Sequence, residues 1–162
     1  MRLTGVVSLN LNIVLVEPEI PQNTGNVART CAATGSRLHL IKPLGFSIED
    51  KYLKRAGLDY WSMVEINYYD SFEELKCQYP EGLFYYLTTK GKRKHTEAIY
   101  REDCFMVFGK ETAGLPKSLL EKNREFCIRV PMINDARSLN LSNSVAIVLY
   151  EALRQIGFPS MR

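Results

Sequence analysis

Two glycines five residues apart, Gly109 and Gly114, enclose Lys110-Glu111-Thr112-Ala113 directly behind the apolar run from Cys104 to Phe108. Glycine carries no Cβ, so the chain can turn sharply there and lie close against a flat ligand. Two other polar, turn-rich segments are placed alike, Glu17 to Asn26 and Asn134 to Asn143. Each follows a hydrophobic strand and opens a predicted helix. In an open α/β sheet that is where ligands bind.

The elements that must position these segments alternate along the chain. Leu11 to Val16 reads as a strand, and Val27, Ala28, Cys31 and Ala32 repeat at helical spacing after the Asn23-Thr24-Gly25 turn, with Gly35 as the stop. Arg37 to Lys42 and Val64 to Tyr68 are strands, separated by a short basic helix over Lys51 to Ala56. Ser71 caps a helix running to Lys76, with Glu73 and Glu74 in its first turn. Gly82 to Thr89, Cys104 to Phe108 and Phe126 to Met132 complete the strands, and Leu115 to Leu120 opens a helix between the last two. Val145, Val148, Leu149, Ala152, Leu153 and Ile156 form an apolar stripe on a final helix ended by Gly157 and Pro159. This order predicts an α/β fold, a parallel sheet with helices on both faces.

At 162 residues the chain is long enough for one domain with its own core. Residues 1–10 are expected to form a short amino-terminal arm, and residues 11–162 a single domain. The net charge of +3 says little, but Lys90-Gly91-Lys92-Arg93-Lys94-His95 holds four cations in six positions. Lys51, Lys54 and Arg55 form a second group. Such patches attract phosphate backbones, although each also reads as an ordinary solvated surface. Four scattered cysteines read as reduced thiols, with Cys31, Cys104 and Cys127 buried, and two histidines make a zinc site improbable. No signal peptide or membrane span is evident, so a cytoplasmic protein is expected.

Several nucleotide signatures are absent. Neither Gly91-Lys92 nor Gly109-Lys110 is followed by Ser or Thr, no Gly-x-Gly occurs, and there is no Gly-x-Ser-x-Gly. What remains is three ordered motifs: Asn23 followed six residues later by Arg29, the Gly-x-Glu-x-x-Gly-Leu segment from Gly109 to Leu115, and Ser138-Leu139-Asn140-Leu141-Ser142. With these the chain resembles the SPOUT class of RNA ribose 2′-O-methyltransferases, in its SpoU-like branch, over about Asn12 to Pro159. Glu17-Pro18-Glu19-Ile20-Pro21, Arg55-Ala56-Gly57-Leu58-Asp59-Tyr60 and Leu87-Thr88-Thr89-Lys90-Gly91 look like its minimal members, which methylate the wobble nucleotide of tRNA.

The resemblance implies a deep carboxy-terminal trefoil knot, a feature packing rules alone would reject. It implies S-adenosyl-L-methionine as cofactor, no metal, a homodimer and a tRNA anticodon stem-loop as partner. It places the donor on Leu87, Thr88, Gly109, Val130, Met132, Ser138 and Leu139. Plain strand core is the bland reading of Leu87, Val130 and Met132. The catalytic candidates are Arg29, Asn23, Glu111 and Asn140.

The family is described as using the Arg as base. A guanidinium is a poor proton acceptor, so Arg29 is better read as gripping a phosphate and stabilising charge on the 2′-oxygen. Its bland alternative is an ion pair with Glu17 or Glu19. Asn23 would orient Arg29 or the substrate, Glu111 would hold Arg29 or the ribose, and Ser142 could cap the last helix. Lys90, Lys92, Arg93 and Lys94 are the candidates for holding RNA. Two rivals are a ribosomal RNA 2′-O-methyltransferase, whose relatives commonly carry an extra RNA-binding domain, and a non-catalytic RNA-binding module of the same fold.

Overall fold

The computed structural model describes residues 11–49 and 51–162, so the expected arm over residues 1–10 lies outside the described residues. Seven strands form one sheet, all parallel: β1 (Asn12–Val16), β2 (Arg37–Ile41), β3 (Ile66–Tyr69), β4 (Phe84–Leu87), β5 (Arg93–Lys94), β6 (Phe105–Phe108) and β7 (Cys127–Arg129). Their spatial order is β3-β2-β1-β6-β4-β7-β5. Five α-helices join them: α1 (Pro21–Thr34), α2 (Lys51–Trp61), α3 (Phe72–Gln78), α4 (Lys117–Lys122) and α5 (Leu141–Gln155).

Strand alternation divides the core in two, because successive side chains leave opposite faces. Ile13, Leu15, Leu38, Leu40, Met106 and Phe108 pack with α1 (Val27, Ala28, Cys31) and α5 (Val145, Val148, Leu149, Ala152, Leu153). Val14, Val16, Ile41, Phe105 and Val107 pack on the other face with Phe72 and Leu75 of α3, and with Leu119 and Leu120 of α4. Helices on both faces are as expected. On α5 the stripe residues Val145, Val148, Leu149, Ala152 and Leu153 are fully buried within the single chain and Ile156, just past its end, is partly buried, so the stripe is core.

Boundaries moved where local chemistry competed with periodicity. Helix α1 begins at Pro21, whose preset φ and missing N–H suit a first turn, so the expected turn Asn23-Thr24-Gly25 is helical and buried. Gly35 ends it in the left-handed region at φ +69°. The basic helix α2 runs on to Trp61. Pro116, with ψ 135°, delays α4 until Lys117. The basic segment Lys90 to His95 contains β5 and leads into a one-turn 3-10 helix at His95–Glu97.

One polar cluster sits inside the sheet. Asn12 Nδ2 donates to the Cys104 carbonyl, which turns its Oδ1 toward His39 Nε2 at 2.9 Å. His39 Nδ1 lies 3.1 Å from the Tyr69 hydroxyl. The imidazole is therefore a neutral Nε2–H tautomer, and burial pushes its pKa down to about 4. Burial also pushes the Cys31 thiol up to about 12 and Cys104 up to about 11, as inert core thiols should be.

Candidate active site

A cleft of about 1410 Å³ opens at the carboxyl ends of β4, β6 and β7. Small-molecule sites typically measure ~300–1,000 Å³, so this one has room for a ligand and part of a second. Residues within 16–23, 87–92, 108–117 and 130–144, all at strand ends, line it together with Leu120, Glu121, Arg124 and Cys127. Asn23 of the first motif, the Gly109–Leu115 segment and Ser138 to Leu141 therefore face one space.

Strand β6 ends because Gly109 reverses the chain. Lys110 and Gly114 form a single antiparallel bridge, with the Gly114 N–H donating to the Lys110 carbonyl at 2.9 Å. A Cβ on Gly109 would lie 2.1 Å from the Gly114 carbonyl carbon. The sharp turn expected at this glycine is present, and the loop's own return requires it.

Glu111 is the hub of that loop. Its carboxylate accepts from the Glu19 N–H at 2.8 Å, the Ile20 N–H at 3.0 Å and Asn23 Nδ2 at 3.2 Å. The two backbone donors belong to the entrance of α1, where N–H groups lack intrahelical partners and favour an anion. Asn23 Oδ1 then accepts from Asn140 Nδ2 at 3.0 Å. Asn140 Oδ1 caps α5, accepting from the Ser142 and Asn143 N–H groups and from the Ser142 hydroxyl. The cap is thus Asn140, where Ser142 was expected. Asn23 and Glu111 bind each other, and neither binds Arg29, which was one of the two partners expected for each.

All seven positions assigned to the donor, Leu87, Thr88, Gly109, Val130, Met132, Ser138 and Leu139, line the cleft. Leu87, Val130 and Met132 are half-buried rather than sealed core, and the last two lie beyond the end of β7. Arg29 stands apart: it is exposed, does not line the cleft, and lies with its guanidinium carbon 5.0 Å from the centre of the Tyr60 ring. The ion pair with Glu17 or Glu19 does not form. Glu17 takes Lys110 at 2.5 Å, raising that ammonium's pKa, and Glu19 takes Thr112.

Of the expected RNA-holding residues, Lys90 and Lys92 are exposed on the cleft rim. Arg93 and Lys94 are not in the lining. Arg93 donates to the carbonyls of Glu125 and Glu97, so it braces its own fold. Lys110, Lys117, Arg124 and Arg137 also line the cleft and were not among the residues expected to hold RNA, because none lies in the basic clusters that marked those. Among the described residues no group of His, Cys, Asp and Glu is arranged to hold a metal, and no helix is long and apolar enough to cross a membrane.

Comparison with known proteins bears on this geometry. Residues 10–150 match the SpoU rRNA Methylase family model. The chain is 56% identical over 155 residues to a Bacillus subtilis protein named as a candidate tRNA (cytidine(34)-2'-O)-methyltransferase, covering 94% of this chain and 97% of that one. It is 50% identical over 151 residues to the tRNA (cytidine(34)-2'-O)-methyltransferase of Escherichia coli K12, covering 92% and 96%. A solved structure described as giving insight into 2-OH methylation of C/U34 on tRNA superposes with a TM-score of 0.87 at 44% identity, covering 93% of this chain and 98% of that one.

Proposed function

Because the chain belongs to the SpoU rRNA Methylase family, we propose that it methylates the ribose 2′-hydroxyl of the tRNA wobble nucleotide with S-adenosylmethionine. The names of the Escherichia coli and Bacillus subtilis relatives support this substrate. The observation that carries the site is the chain of hydrogen bonds Glu111–Asn23–Asn140, which draws three loops around one cleft.

The residues present fit the donor. The cleft offers half-buried apolar walls at Leu87, Val130 and Met132, with Gly109, Ser138 and Leu139 beside them. A nucleoside with a zwitterionic tail needs that mixture. When bound, S-adenosylmethionine supplies a methyl group on a positively charged sulfur, so the transfer itself calls for no metal.

A ribose hydroxyl is a weak nucleophile at neutral pH, and alignment is the protein's main task. Lys90 and Lys92 hold the RNA backbone on the rim. The three glutamates of the lining are already engaged, Glu17 by Lys110, Glu111 by three N–H donors and Glu121 by Lys117, while Glu19, outside the lining, holds Thr112. No free carboxylate is left among them to act as base, and the proton leaves to water. Arg29 grips a neighbouring phosphate and stabilises the charge that develops on the 2′-oxygen. Since Arg29 does not line its own chain's cleft, the homodimer gives it a route to the partner's site.

On this reading residues 11–162 form one SPOUT domain, knotted near its carboxyl end, acting in the cytoplasm. Tritium transfer from labelled donor into unmodified tRNA, with nucleotide mapping, tests it. Label at the wobble ribose supports it; label in ribosomal RNA, or donor binding without transfer, sinks it.

A further inference from the structure

The segment Glu17-Pro18-Glu19-Ile20 has no role in the chemistry above, yet it holds the glycine loop by both ends. Glu17 takes Lys110 at its carboxylate. The Glu19 carboxylate accepts from the Thr112 N–H at 3.1 Å and from its hydroxyl at 2.8 Å. In return the Glu111 carboxylate accepts the Glu19 and Ile20 N–H groups. Three successive residues, Lys110, Glu111 and Thr112, are thereby tied to one tetrapeptide more than ninety positions away.

The clasp is backed from behind. Gly45 donates its N–H to the Pro18 carbonyl at 2.9 Å, and a Cβ on Gly45 would lie 2.8 Å from the Glu19 Cα. Glu17 sits at φ +50°, a region that costs a non-glycine residue of order ~1 kcal/mol or more and persists only where neighbours hold it. Glu19 itself does not line the cleft, whereas Glu111, Thr112 and Ala113 do.

We propose that Glu19 is a positioning residue for donor binding: its carboxylate fixes Thr112 and so sets the wall of the cleft that receives the methyl donor. This rests on the reading of the cleft as the donor site. Binding of a flexible loop's ligand is weakened by the fraction of time the loop is misplaced, so loosening the clasp lowers donor affinity and leaves the aligned complex as reactive as before.

The test uses the full chain, with donor affinity measured by calorimetry, donor KM and kcat by tritium transfer, and folding by thermal melting. Glu19→Ala should weaken donor binding and raise donor KM about ten-fold, with kcat at saturating donor within about two-fold of the parent. Thr112→Val should move the same way by about three-fold, and Thr112→Ser, which keeps both donors to Glu19, should restore affinity. Unchanged donor affinity in a folded Glu19→Ala, or a loss confined to kcat, overturns the proposal. If Glu19→Ala does not fold, the pair of Thr112 variants decides alone. A parent protein that binds no donor would instead refute the reading of the cleft.

Discussion

Asn140 donates from Nδ2 to Asn23 Oδ1 across 3.0 Å, although 117 residues separate them in the chain. The same side chain caps α5 with its other atom. One residue thus joins the start of the last helix to the first motif, and its two jobs can be separated by substitution.

Asn140→Asp keeps an oxygen for the cap, where Asp serves as well as Asn, and loses the donor to Asn23. Two oxygens then face each other. Melting should change little, within about 0.5 kcal/mol, while turnover falls ten-fold or more, to an extent on the order of one lost charge-free hydrogen bond plus repulsion. Asn140→Ala should lose the cap too, adding about 1 kcal/mol of destabilisation. Full activity in the Asp variant would show that the link to Asn23 is idle.

Arg29 is presented on the Tyr60 ring. Arg29→Ala should retain donor affinity and lose at least about 100-fold in turnover, as expected for a group that acts on developing charge. Tyr60→Phe keeps the ring and should keep activity; Tyr60→Ala should cost several-fold, on the order of one exposed cation–π contact. Loss of donor binding in Arg29→Ala would refute the role given to it.

Lys90 and Lys92 face the cleft rim, whereas Arg93 is spent on two carbonyls. Replacing both lysines by Ala should reduce the slope of log affinity for tRNA against log salt by about 1–2. Arg93→Ala should instead lower the melting temperature with little change in slope. An unchanged slope in the double variant would move the RNA elsewhere.

His39 makes stability depend on pH. Its folded pKa, near 4, lies below the ordinary value of 6.5, so the unfolded chain takes up the proton first as pH falls. The contribution is intact above about pH 6.5 and declines toward 4, costing about 2 kcal/mol by pH 5. Urea midpoints at pH 7.5 and pH 5 should diverge in the parent and converge in His39→Gln. Parallel losses in both would place the acid sensitivity on other groups.

The alternation of strands and helices was legible because apolar runs and 3.6-residue stripes are local. The seven cleft positions were reached through the family resemblance, which carried Val130 and Met132 although neither belongs to one of the three motifs. The pairing of Glu19 with Thr112 and the bracing of Arg93 were not legible, because nothing near a side chain in sequence announces a partner far along the chain. Pro21 and Pro116 moved helix starts in opposite senses, one inside its helix and one outside, and only backbone geometry separates those cases.

The most direct test is mass spectrometry of tRNA from cells lacking this protein. One ribose methyl group should be missing, at the wobble nucleotide, and should return with the parent gene but not with Arg29→Ala. Wobble nucleotides that stay fully methylated without the protein would contradict the account.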